Sequence, residues 1–251
     1  MRRVVLGGFF PVSLLVLWEL LGRSGVLSED SFSRPSLVVG ALWRVLADGT
    51  LLQQTGQTYG AAAAGLAIAA AAGIAGGAVL GLFRPLERAA SLTVEVLRPV
   101  PSVALIPVAL LMFGFSHNMS ASIAAFACFW PILIVTVAAV RGIDSRLIEV
   151  GRMLGFPVPV RIAKLAMPAA MPGIMVGVRV AAGISIVVTV TTEIAANPRG
   201  LGYGMIVAQQ SMNSDVMWAT LLWLGATGYL VNWGLLALER RWLRWYWAAR
   251  G

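Results

Sequence analysis

Five ionisable side chains fall inside or at the ends of long apolar stretches: Glu19, Glu95, Arg98, Arg179 and Glu193. A charge at membrane depth is costly, so such a group pairs, faces water or meets a charged cargo. Arg179 is the sharpest case. It follows Pro168 by eleven residues, about 16 Å of helix at 1.5 Å per residue, which places it near mid-membrane. Its guanidinium stays protonated, so it needs a carboxylate, freed backbone carbonyls, a water-filled cavity or an anion. Two roles are open to it. It can bond carbonyls freed by Pro99, Pro101 or Pro131, or it can give a passing anion a weak stop. Glu95 and Arg98, three residues apart, are expected to pair on one helix face. Glu193, beside Thr189, Thr191 and Thr192, either lines an external gate or caps the end of its helix. Glu19 sits where it can reach the outer interface.

Other chemistry is missing from the chain. The lone Cys128 excludes an internal disulfide and a cysteine metal cluster, and the single His117 cannot build a multi-histidine metal site. There is no Gly-x4-Gly-Lys-Ser/Thr loop for nucleotide phosphates and no Gly-x-Ser-x-Gly nucleophile elbow. No catalytic residue and no metal ligand set is therefore expected. Cys128 reads as a small packing residue, His117 as a loop residue, and Gly200-Leu201-Gly202-Tyr203-Gly204 as a tight external turn.

The elements that must position these groups follow from composition. Of 251 residues, 59% are apolar and only 12% charged, about half the charged fraction of a soluble domain. A span needs about 20 mostly apolar residues, and without water it must satisfy its own backbone hydrogen bonds, which favours helices. The expected fold is all-α and polytopic, with about six transmembrane helices near 4–22, 57–82, 90–114, 119–140, 169–190 and 217–238. The net charge of +8 reflects basic loops rather than nucleic-acid binding. Thirteen Lys and Arg fall in 1–3, 83–89, 141–168 and 239–251, against four in the opposite loops. Basic loops face the cytoplasm, so both termini are expected there. The start, Met1-Arg2-Arg3 before an apolar run, lacks a convincing cleavage site and reads as a retained anchor.

Within the spans, Gly73, Gly77 and Gly81 share one helix face, suited either to packing inside one subunit or to a dimer interface; the former is favoured. Arg98-Pro99-Val100-Pro101 and Pro107 interrupt the third span, and Trp130-Pro131 is expected to kink or break the fourth. Broken helices near mid-membrane often line a pathway. A short amphipathic helix is expected between Pro35 and Gln54, with Leu37, Leu42, Val45 and Leu46 on one side.

The loop 141–168 is more than a connector. Ile143, Leu147, Val150 and Leu154 form an apolar stripe, with Asp144, Arg146, Glu149 and Arg152 mainly off it. Gly155 is expected to stop that helix from a left-handed C′ position. Pro157 opens a second short helix, which ends at Pro168. Such an amphipathic helix can rest on lipid headgroups or seat in a groove on a partner.

Glu149-Val150-Gly151, then Gly155, then Leu165-Ala166-Met167-Pro168 resembles the EAA loop of ATP-binding-cassette (ABC) importer permeases. The spacing from Glu149 to Gly155 to Pro168 matches in full; Val150 and Gly151 stand for two alanines, Leu165 for Ile and Met167 for Leu. Gly151 also weakens the helix by up to about 1 kcal/mol. Arg98 to Pro107 leading to Phe113-Gly114, and Thr192-Glu193-Ile194-Ala195 leading to Gly200-Leu201-Gly202-Tyr203, look like the nitrate/sulfonate/taurine-type branch. The resemblance covers roughly 55–240. It implies a type I importer fold in the bacterial cytoplasmic membrane, made of an N-terminal helix and external segment (1–54), a permease core (55–240) and an aromatic and basic cytoplasmic tail (241–251).

It further implies that Glu149, Gly151, Arg152, Leu154, Gly155 and Pro168 dock a separate ATPase, so that this chain is not itself an enzyme. ATP and Mg would be held by that partner. The implied assembly is two copies of this chain, two cytoplasmic ATP-binding subunits and an external solute-binding protein. Candidates for the translocation pathway are Arg98, Pro101, Pro107, Arg179 and Glu193. The branch suggests a small anion such as a sulfonate, taurine or nitrate, although relatives of this pattern also carry vitamin precursors. A stand-alone secondary transporter or channel is the alternative, but it would need more intramembrane carboxylates than the chain has.

Overall fold

The computed structural model describes residues 2–25 and 32–242, without the side chains of 2–9 and 11. Most of the expected aromatic tail lies outside the described residues. Among the described residues the α-helices bounded in full run in the order α1 (Arg2–Arg23), α2 (Pro35–Ala47), α3 (Thr50–Leu82), α4 (Arg84–Leu97), α5 (Ile106–Phe113), α6 (His117–Arg141), α7 (Ser145–Met153), α8 (Val158–Arg161), α9 (Met167–Ala195), α10 (Gly200–Gln210) and α11 (Ser214–Trp242). No strand occurs among the described residues. Among the described residues, four helical stretches are long and apolar enough to cross a membrane, and α4 with the segment Ser102–Phe113 forms a fifth span if that pair is counted as one. α1, 22 residues long, is the sixth expected span, and its Phe10, Val12, Leu14 and Leu15 are exposed as lipid-facing residues would be.

The chain divides into two compact units, 1–58 with 198–227, and 59–197 with 228–251. In the first, Val38 and Ala41 of α2 are fully buried with Ala219, packed by Trp18, Leu42 and Trp218. The buried face of α2 therefore centres on Val38 and Ala41, and Leu37 is exposed, one position off the stripe expected from sequence. Glu19 pairs with Arg23 at 2.7 Å and accepts from the Ser36 backbone N–H at 3.1 Å. It thus serves the orphan donors at the start of α2.

In the second unit α3 lies along α6. A Cβ built on Gly73 would come within 2.9 Å of Ile132, on Gly77 within 2.6 Å of Thr136, and on Gly81 within 2.8 Å of Val140. The glycine face is therefore a seam inside one subunit, and Gly65 continues it against the Ala121 carbonyl at 2.6 Å. Cys128 is buried beside Ile132 and Ala181 and donates to the Ala181 carbonyl at 3.2 Å, a packing residue as expected. α6 passes through Pro131 without interruption. His117 is not in a loop; it begins α6, with Ser116 as N-cap accepting from the Met119 N–H at 3.3 Å.

Candidate functional site

The loop between α6 and α9 folds from its own sequence signals. Asp144 caps α7, accepting from the Arg146 N–H at 2.9 Å. At the other end Gly155 has φ +72°, the left-handed region that favours glycine. The Phe156 N–H donates to the Gly151 carbonyl at 3.0 Å and the Gly155 N–H to the Arg152 carbonyl at 2.9 Å. These two bonds make a Schellman motif, which stops α7 and turns the chain.

Gly151 is the buried residue of α7. A Cβ there would meet Leu165 at 2.5 Å and Arg161 at 3.2 Å. Whatever it costs in helix propensity, this glycine lets α7 lie close on the returning chain. The apolar stripe divides. Ile143 packs into the core with Val140, Ala170 and Ile174, whereas Val150 and Leu154 are exposed, together with Met153 at 85% and Val158. Glu149 and Arg152 are also exposed. The loop therefore presents an apolar patch bordered by opposite charges.

The second helix does not end at Pro168. α8 runs through a π turn, Ile162–Ala166, straight into α9, where Pro168 occupies the first turn. Proline lacks an N–H and its ring crowds the carbonyl four residues back. The wider turn relieves that conflict, with the Met167 N–H reaching the Ile162 carbonyl.

Among the pathway candidates, Arg98 and Pro101 stand at the break between α4 and the 3-10 turn Ser102–Leu105, where the chain bends by 82°. Pro107 sits in the first turn of α5. Arg98 has no carboxylate within 4.0 Å among the described residues, so the expected pair with Glu95 does not form; Arg98 borders a hollow of about 350 Å³ with Ser102 and Trp130. Arg179 has a carboxylate partner that the sequence did not disclose. Its Nη1 lies 3.0 Å from Glu239 Oε2 of α11. Glu193 is 3% exposed on the face of α9 that also buries Thr189 and Thr192. One helical turn beyond, Asn197 donates to the Ser116 carbonyl at 2.9 Å and to Ser120 Oγ at 2.8 Å.

The glycine-rich run after α9 is a helix rather than a turn. Gly200 takes φ +85°, and the Gly200 and Leu201 N–H groups donate to Gln57 Oε1 and Thr58 Oγ1, each at 2.9 Å. α3 side chains thus cap α10. The small residues serve approach, since a Cβ on Gly204 would fall 2.5 Å from Gln54.

The model of the binding-protein-dependent transport system inner membrane component matches residues 65–244. The chain belongs to that family. It is a permease of the ABC importer type, embedded in the membrane through its apolar helices. It is 32% identical over 237 residues, 94% of this chain and 90% of the relative, to a permease of Escherichia coli (strain K12) provisionally named for aliphatic sulfonates. It is 31% identical over 235 residues, 92% of this chain and 87% of the relative, to the riboflavin transport system permease protein of Chloroflexus aurantiacus. A methionine ABC transporter solved in an inward-facing conformation superposes with a TM-score of 0.68 at 20% identity, over 76% of this chain and 95% of that one. That likeness shows the type I permease fold.

Proposed function

We propose that this permease works as a homodimer with two ATP-binding subunits and an external solute-binding protein, and that it imports a small anion of the sulfonate, taurine or nitrate kind. ATP and Mg are bound, and ATP is hydrolysed, in the partner subunits. The loop 141–168 faces the cytoplasm, as do both termini, in line with the excess of basic residues on that side. The observation that carries the reading is the Schellman stop at Gly155. It holds Val150, Met153 and Leu154 outward as a rigid apolar patch, which suits the groove of a protein partner. Closure of that partner on ATP then moves α6 and α9, which flank the loop.

The anionic cargo is supported by the relative named for sulfonates and by arginines that outnumber carboxylates around the broken span. The test is reconstitution of the complete complex in vesicles, with ATP-dependent uptake measured for taurine, nitrate and riboflavin. Uptake of taurine or nitrate is the expected result. Uptake of riboflavin alone overturns the anion assignment, and a permease that fails to copurify with a P-loop ATPase overturns the docking.

A further inference from the structure

α4 carries a polar stripe. Arg84, Glu87, Arg88, Ser91, Glu95 and Arg98 recur at intervals of one, three or four, which puts them on one side of a helix. Such a stripe cannot rest against lipid tails without large cost, and in this structure it borders a groove between α4 and α6. The groove holds three hollows in series. The first, about 420 Å³, is bordered by Arg84, Glu87, Arg88 and Arg141. The second, about 380 Å³, shares Glu87 and Arg141 with the first and adds Ser91, Glu95 and Arg98. The third, about 350 Å³, shares Arg98 with the second and adds Ser102 and Trp130.

Four guanidiniums and two carboxylates leave the groove with a formal charge of +2, and Glu87 is bonded to Arg141. Arg84, Arg88 and Arg98 have no carboxylate within 4.0 Å among the described residues. From Arg84 to Arg98 the path is fourteen residues, about 21 Å along the helix.

We propose that this groove is the inner route of the anion, with Arg98 and Ser102 as its inner station and Arg84, Arg88 and Arg141 as its mouth. The inference rests on the anion reading above and names the residues that would serve it. A narrow groove with low-dielectric walls focuses the field of its arginines and draws anions in. Glu95, one turn from Arg98, keeps the station weak, since conduction needs binding loose enough to release. The apolar wall from α6, Leu133, Ile134 and Val137, suits the body of an organic anion.

The test needs no solute. In the full-length chain in membranes, Cys128→Ser removes the native thiol and Ser102→Cys places one at the inner station. Modification rates are measured with an anionic reagent, methanethiosulfonate ethylsulfonate, and with its trimethylammonium counterpart. Each is normalised to its rate with a free thiol. The expected normalised preference for the anion is about tenfold or more, one charge worth of about 1.4 kcal/mol. Arg98→Gln removes most of it and Arg98→Lys keeps most of it. Ser91→Cys, on the same stripe, gives the same readout should Ser102→Cys fail to accumulate. A preference for the cation, equal rates, or a thiol inert to both reagents overturns the proposal, because headgroups, lipid tails or a second copy would then fill the groove. Such a failure leaves the uptake result standing, and riboflavin-only uptake leaves the thiol rates standing, so the two readings fail separately.

Discussion

Arg179 and Glu239 form an ion pair across sixty residues of sequence, Nη1 to Oε2 at 3.0 Å, tying α9 to α11. The Glu239 side chain is 11% exposed and that of Arg179 is 32% exposed. Arg179→Met therefore strands a nearly buried carboxylate, at a cost of about 1–3 kcal/mol. The thermal unfolding midpoint of the detergent-purified permease should fall. Adding Glu239→Gln to that variant should recover part of the loss, because the stranded charge is gone. Equal midpoints for Arg179→Met and the parent would remove the pair from the stabilising contacts.

Gly155 offers a test of the loop that leaves packing alone. A Cβ there meets nothing within 4 Å, so a substitution acts only through its φ of +72°. Gly155→Val strains the turn, whereas Gly155→Asn is tolerated, since Asn visits the left-handed region readily. In the assembled complex, Val should lower coupled uptake or ATPase association several-fold while Asn stays near the parent. A Val variant with full association and uptake contradicts the docking role.

The α3–α6 seam predicts a contrast between two glycines. Gly77→Ala drives a methyl to 2.6 Å from Thr136 Cβ and 2.7 Å from the Leu133 carbonyl, an overpacking that costs about 1–3 kcal/mol. Gly40→Ala, in mid-α2 with nothing within 4 Å, should instead add about 0.5–1 kcal/mol of helix stability. Thermal midpoints moving in the same direction for both would contradict the seam.

The purified chain alone should neither bind nor hydrolyse ATP, for want of a phosphate-cradling loop. Equilibrium dialysis with labelled ATP checks this. Nucleotide binding by the isolated chain would refute the division of labour proposed here.

Local signals carried most of the fold. Gly155, the Arg98–Pro101 break and the Gly73, Gly77, Gly81 face are each set by neighbours in sequence and were legible there. Tertiary partners were not. Glu239 lies just past 238, where the apolar run of the last span ends, whereas α11 continues to Trp242. The polar stripe of α4 straddles a similar boundary, since the apolar run from residue 90 leaves out Arg84, Glu87 and Arg88. The glycines of α10 resembled a turn, but their use is close approach to Gln54, a contact 150 residues away along the chain. At Pro168 the usual helix-ending rule yielded to the π turn, which lets a proline sit inside a continuous helix.

That π turn, Ile162–Ala166, also fixes an angle. Each residue of an α-helix advances the chain by about 100° around its axis. The wider turn slips the phase of everything before it relative to everything after it. α8 and the patch at Met153 and Leu154 are thereby clocked against the buried face of α9, much as a key sets a cam on its shaft. Inserting one residue in this stretch would keep every side chain of the loop yet turn the patch by about 100° around the axis of α9.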